Sequence, residues 1–255
     1  MKSPPMKACG ISIWGAPMAE SMISVTELNA HYGLSHALQG LNLGVGRECV
    51  AIMGRNGVGK TTLARALVGL NPPQVEGRIS IFGTDVTGWA PHRIARHGVG
   101  YVPQGRRLFP SLTVEEHLTL NSRPGPTGDR WTLQAVYDMF PSLAQRRRSY
   151  GNQISGGERS MLAIGRALVT NPGCLILDEP TEGLAPSVVE TVSNGLRDLS
   201  REGVAVLLIE QNVKAAALAA DRAYFMAEGQ IVYETDDKAA MTDDEVLGRY
   251  LGVSA

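Results

Sequence analysis

The chain has 255 residues, 44% of them apolar and 19% charged, with a formal net charge of −1. That is enough for a full core in an ordinary globular protein, as one large domain or a domain with a subdomain. The charge excludes a general attraction to nucleic acid or an anionic membrane, and no stretch approaches the roughly 18 apolar residues of a spanning helix.

Residues 1–21 carry Pro4, Pro5 and Pro17, and their apolar positions follow no clear period. The few cationic residues precede no continuous apolar stretch, which argues against a signal peptide. Met22-Ile23-Ser24-Val25 opens a strand-like alternation. The folded domain is therefore expected over 22–255, with 1–21 a disordered extension or an overlong start. Short β-type segments at 23–28, 38–45 and 78–82 read as an antiparallel arm. Tyr32 lies in a polar turn, His31-Tyr32-Gly33, where an aromatic either packs on the surface or stacks on a base.

Cys49-Val50-Ala51-Ile52-Met53 is wholly apolar, as a buried parallel strand would be. Gly54-Arg55-Asn56-Gly57-Val58-Gly59-Lys60-Thr61-Thr62 follows, and then Leu63, Leu67, Val68 and Leu70 recur at helical spacing. This is G-x-x-x-x-G-K-[ST] between a strand and a helix. The glycines let successive N–H groups turn inward as an anion nest, and the helix adds its positive end. Lys60 is expected to reach the β- and γ-phosphates, and the Thr61 hydroxyl to hold Mg²⁺. The chain is read as binding a nucleoside triphosphate.

Residues 91–96 read as a short helix and 98–102 as a core strand ending at Pro103-Gln104. A helical insertion is expected over about 105–165. Thr113-Val114-Glu115-Glu116 is a capping box, and Arg123-Pro124-Gly125-Pro126-Thr127-Gly128 is a break. Leu133, Val136 and Phe140 mark a second helix, and Arg146-Arg147-Arg148 reads as a solvated face. Ser155-Gly156-Gly157-Glu158 starts the next helix. Cys174-Leu175-Ile176-Leu177-Asp178-Glu179 is an apolar strand ending in two carboxylates. A helix at 186–201, a strand at 204–209, a helix after Glu210-Gln211-Asn212 and a hairpin at 223–226 and 231–233 follow. Thr242-Asp243-Asp244-Glu245 reads as a capping box for a closing helix. Strands alternating with helices give a mostly parallel α/β sheet. Cys49 and Cys174 sit in apolar runs and Cys9 in the extension; an odd count without metal spacing fits reduced thiols in a cytosol.

In P-loop enzymes an Asp after a buried strand completes the Mg²⁺ shell with the loop Thr, and Asp178 fits that position. Glu179 is the candidate general base for attack on the γ-phosphate. The bland alternative is that both carboxylates only cap the next helix. Residues 155–158 also form a capping box, but two glycines in a first helical turn cost up to about 1 kcal/mol each relative to Ala. They make sense if the helix end comes very close to something such as another phosphate.

Together, the phosphate loop, Gln104, Ile154-Ser155-Gly156-Gly157-Glu158 and the strand ending Asp178-Glu179 resemble the ATP-binding subunit of an ABC transporter. The resemblance spans residues 23–251 and implies a P-loop NTPase (RecA-like) core with an antiparallel β arm and a helical insertion. Residues 154–158 resemble the LSGGQ signature, which in that family caps ATP held by the opposite subunit of a dimer. By the same resemblance Gly54, Arg55, Asn56, Gly57, Gly59, Lys60, Thr61 and Thr62 bind ATP, and Tyr32 stacks on adenine. The resemblance further implies that Gln104 contacts Mg²⁺ or the attacking water. The implied partners are a second ATP-binding subunit, two transmembrane permease subunits and, indirectly, a periplasmic solute-binding protein, with no nucleic acid. The implied place is the cytoplasmic face of the inner membrane.

Tyr101-Val102-Pro103-Gln104-Gly105-Arg106-Arg107-Leu108-Phe109-Pro110 and Gly183-Leu184-Ala185-Pro186 are similar to the shorter ATPase of branched-chain amino-acid importers. Thr181-Glu182-Gly183 leans toward the urea and short-amide importers. Two departures stand out. Gln211 replaces the γ-phosphate-sensing His of most members, and Ala185 stands where many have Asp. Gln donates a hydrogen bond but carries no charge to strengthen it. Unequal ATP sites in a heterodimer are the expectation. The rival readings are a soluble ABC ATPase acting on DNA or ribosomes and a sensor without turnover. Neither a second nucleotide domain nor a long coiled coil supports the first, and the Asp178-Glu179 pair speaks against the second.

Overall fold

The computed structural model describes residues 21–125 and 130–252; the expectations for residues 1–20, including Cys9, and for Pro126-Thr127-Gly128 lie outside them. In chain order the strands are β1 (Ile23–Tyr32), β2 (Ser35–Val45), β3 (Cys49–Met53), β4 (Gln74–Ile81), β5 (Thr84–Asp85), β6 (Val99–Val102), β7 (Cys174–Asp178), β8 (Ala205–Glu210), β9 (Arg222–Ala227) and β10 (Gln230–Thr235). The helices are α1 (Lys60–Leu67), α2 (Pro91–Arg96), α3 (Val114–Asn121), α4 (Leu133–Met139), α5 (Pro141–Gln145), α6 (Gly156–Leu168), α7 (Pro186–Arg201), α8 (Val213–Ala219) and α9 (Asp244–Leu251).

Strands β3, β7 and β8 are apolar at nearly every position because both faces of their sheet are covered. Alternate residues divide between two cores. Cys49, Ala51, Met53, Leu175, Leu177, Val206 and Leu208 pack on one side, with the helices of the insertion and α7–α9. Val50, Ile52, Ile176, Leu207 and Ile209 pack on the other, with α1 and the antiparallel arm. Each fully buried Val, Leu, Ile or Met side chain among these contributes roughly 1.5–3 kcal/mol. The sheet runs β10-β9-β3-β8-β7-β6, with only the β9–β10 pair antiparallel. The arm is an antiparallel sheet in the order β2-β1-β4-β5.

Register then places the chemistry. Met53 lies opposite Glu210, Asp178 opposite Ile209, and Val102 opposite Leu177. The chain therefore leaves β3, β6, β7 and β8 at one edge, carrying Gly54, Gln104, Glu179 and Gln211 out together. Ligands of open α/β sheets bind at that carboxyl edge.

Several boundaries differ from the sequence expectation. β1 runs on to Tyr32, which pairs with Ser35 around a Gly33-Leu34 turn, so Tyr32 ends a strand and is not in the turn. A bulge near Glu27, whose φ is +50°, shifts the register and hides the second half of β1 from a period-two reading. The helix expected from Leu133 through Phe140 stops at Met139, and Pro141 opens α5 at its first position. The closing helix is capped by Asp243, which accepts from Val246 N–H at 3.0 Å, and not by Thr242, which lies in a 3-10 turn. The residue three beyond Asp243 is Val246, so no reciprocal box forms.

In the insertion, the capping box of α3 closes through Thr113 and Glu116 as expected. One turn later His117 is fully buried. Its Nε2 accepts from Phe109 N–H at 2.9 Å, while Nδ1 lies 2.8 Å from Thr113 O, which fixes the neutral tautomer. Burial holds its pKa below the ordinary 6.5, Arg166 adds to this, and the Thr113 carbonyl and Glu116 oppose it. A His depressed in the folded state contributes stability above pH 6.5 that is lost as pH falls. Melting from pH 7 down to pH 5 is expected to show a falling Tm, and His117→Asn a shallower fall. The free thiols of Cys49 and Cys174 are buried and pushed up, the latter to about 12, so both are unreactive.

Candidate active site

The phosphate loop joins β3 to α1. Gly59 has φ +110°, in the left-handed region, and a Cβ there would lie 2.8 Å from the Ala37 carbonyl, so only glycine fits. Lys60 is 4% exposed and donates to the Gly54 and Arg55 carbonyls at 2.7 and 3.0 Å. Its ammonium also lies 3.5 Å from Glu179 Oε1. Thr61 is exposed and donates through Oγ1 to Asp178 Oδ1 at 3.3 Å, whereas Thr62 is buried. Arg55, Asn56 and Gly57 form the exposed rim, and Tyr32 is exposed at 36%.

Asp178 is 1% exposed at the end of β7. Burial raises its pKa to about 6, the Thr61 hydrogen bond opposes that rise, and the Glu179 charge adds to it. Its second oxygen, Oδ2, is buried with no hydrogen-bond partner. Such an orphan is costly unless something pairs with it. Glu179 follows with φ +49°, an uncommon conformation for a side-chain-bearing residue and one that concentrates at functional sites. Its N–H donates to Ile209 O at 2.9 Å, which ties the strained residue to β8. Gln104 Nε2 donates to Glu179 Oε2 and to Glu182 Oε2, both at 3.1 Å. Lys60, Thr61, Gln104, Asp178 and Glu179 are thus brought together.

The start of α6 is set apart. Ser155 and Glu158 close the expected capping box, with Glu158 N–H to Ser155 Oγ at 3.2 Å and Ser155 N–H to Glu158 Oε2 at 2.7 Å. Gly157 is buried, and a Cβ there would lie 2.6 Å from Val188 Cγ1 on α7. That glycine therefore has a packing reason within the chain, which the sequence did not reveal. Gly156 has more room and faces Leu184 at 3.7 Å. Among the described residues no hydrogen bond or ion pair joins Tyr32 or residues 155–158 to the phosphate loop. Instead α6 reaches the site through Ser160, which donates to Pro180 O at 2.9 Å and accepts from Arg106 Nε at 2.6 Å.

Gln211 is exposed beyond β8, and its N–H donates to Glu210 Oε2 at 3.1 Å. Ala185 is the N-cap of α7 and brings no capping oxygen; Pro186 at the first position starts the helix instead. The sequence reading missed Arg106, Ser160, Glu182 and Glu210 as contributors. The signal for Glu210 was present: like Asp178, it ends a strand that is otherwise wholly apolar.

The ABC transporter family profile matches residues 38–182, more than half of the chain. The high-affinity branched-chain amino acid transport ATP-binding protein BraG of Pseudomonas aeruginosa is 39% identical over 91% of this chain and 100% of its own length. The lipopolysaccharide export system ATP-binding protein LptB of Haemophilus influenzae is 33% identical over 91% of this chain and 98% of its own. A dimeric ATP-binding cassette solved in a post-hydrolysis state with ADP and Pi superposes with TM-score 0.72, at 25% identity over 84% of this chain and 98% of its own. On the family match and on full-length identity to such relatives, the chain belongs to the ATP-hydrolysing, ATP-binding subunits of ABC transporters.

Proposed function

We propose that this ATPase drives uptake of branched-chain amino acids through separate membrane subunits. The observation that carries this reading is the 39% identity to BraG along that protein's whole length. ATPases of this family work as dimers with transmembrane permeases. In the proposed assembly a second ATP-binding subunit, the same or different, supplies the opposite half of an ATP sandwich. Two permeases and, indirectly, a periplasmic solute-binding protein complete it at the cytoplasmic face of the inner membrane. No helix of the described residues is long and apolar enough to cross a membrane, so that step falls to the permeases. A urea or short-amide cargo is the second reading, favoured by Thr181-Glu182-Gly183.

The unpaired Asp178 Oδ2 is the observation that fits a divalent cation. Asp178, Thr61 Oγ1 and the Gln104 amide oxygen, left over when its nitrogen serves two carboxylates, would hold Mg²⁺. When bound, Mg²⁺ neutralises charge on the phosphates. Lys60 and the loop N–H groups bind and orient the β- and γ-phosphates. Glu179 takes the proton of the attacking water. Residues 155–158, exposed in part and unconnected to their own phosphate loop, cover the ATP of the companion subunit. Where the companion is a different subunit, Gln211 and Ala185 make the two sites unequal, so this subunit alone turns over slowly and accelerates with its companion.

Cell fractionation tests the assignment. The chain is expected to pellet with membranes and to become soluble when its membrane partner is deleted. A chain that stays soluble with the permeases present would refute it.

A further inference from the structure

Residues 178–182 lead from β7 to the turn before α7, and each is tied to a different part of the molecule. Asp178 accepts from Thr61, and Glu179 N–H donates to Ile209 O. Pro180 O accepts from Ser160, and Glu182 accepts from Gln104. Thr181, 2% exposed, is held by Glu210, also 2% exposed. Glu210 Oε1 accepts from Thr181 N–H at 3.1 Å and Thr181 Oγ1 at 2.6 Å. Its Oε2 accepts from Gln211 N–H and Asn212 N–H, both at 3.1 Å.

All four contacts are donors to the carboxylate, arranged in two pairs that belong to two loops. Only a group with two acceptor oxygens serves both. A carboxamide in its place turns an NH₂ toward one pair of donors and leaves at least one backbone N–H buried without a partner. A buried carboxylate is not a stability device. Desolvation raises its pKa, and apolar residues fill the other positions of β8 at no such cost.

We infer that Glu210 is a positioning residue for ATP hydrolysis, its carboxylate locking the loop that carries Glu179 to the loop that carries Gln211. Closure of the site then moves both loops as one body, and the spacing between base and γ-phosphate contact is kept. This rests on Glu179 being the base, which Glu179→Gln tests separately in the same assay.

The experiment is steady-state MgATP hydrolysis by the full chain, with melting temperatures measured alongside. Glu210→Gln is expected to lose about tenfold or more in kcat, as misplaced catalytic groups do, with KM for ATP within about twofold of wild type. Glu210→Asp, which keeps both acceptors, is expected to recover most of that loss. Asn171→Ala is the matched control. It removes buried bonds to Trp131 N–H and the Arg123 carbonyl near the other end of β7. It should lower Tm without lowering kcat. If Glu210→Gln does not fold, Thr181→Val deletes only the 2.6 Å bond and should lower kcat several-fold at unchanged KM. Wild-type kcat in Glu210→Gln or in Thr181→Val overturns the inference. So does a kcat loss in Asn171→Ala matching its Tm loss, or a defect confined to KM.

Discussion

Glu179→Gln is expected to bind ATP as the wild type does and to lose about 10²–10⁴-fold in kcat, the span of a general base. The amide keeps the shape of the side chain and one acceptor oxygen for Gln104 Nε2, so local structure should hold. It keeps the strained φ of +49° as well, because the N–H bond to Ile209 O is unaffected. Lys60 loses its 3.5 Å ion pair but retains the two carbonyls it donates to. What disappears is the capacity to accept a proton from water. Phosphate release and ATP-induced thermal stabilisation, measured on one preparation, separate the two effects. Retained hydrolysis would remove Glu179 as the base and return the pair to the bland capping role.

Lys60→Ala is expected to act one step earlier, on binding. The ammonium is almost fully buried at the loop, and truncating one partner of a buried charged contact costs about 2–5 kcal/mol, or roughly 30-fold and upward in Kd. At an ATP concentration near 100 times the wild-type Kd, ligand stabilisation of about 2.7 kcal/mol should shrink to below about 1 kcal/mol. A thermal-shift titration with ATP reads this directly. An unchanged shift would mean that the loop N–H groups alone hold the triphosphate.

How much was legible in the sequence follows from how local each signal is. The phosphate loop and the Asp178-Glu179 strand end were readable because their residues are contiguous and their flanking strands are uniformly apolar. Parallel register then did what the pattern implied, since strands of matched length deliver their last residues to one edge. Partners far apart in the chain left no such trace. Nothing near Gly157 announces Val188, and nothing near Thr181 announces Glu210. Tyr32 was misplaced because a bulge broke the alternation of β1, and the α4–α5 break was missed because its apolar positions keep helical spacing through Phe140. The cap of α9 went to Asp243 since helix entry geometry, not residue type alone, selects among adjacent polar residues.

In the proposed assembly, ATP on one phosphate loop is completed by the glycine-bearing start of α6 from another subunit. Sedimentation of Glu179→Gln with MgATP, alone and mixed with a candidate second ATP-binding subunit, tests this most directly. A two-subunit particle that forms with MgATP and dissociates on its removal is predicted in at least one of these samples. Single subunits in both, at saturating ATP, would contradict the account.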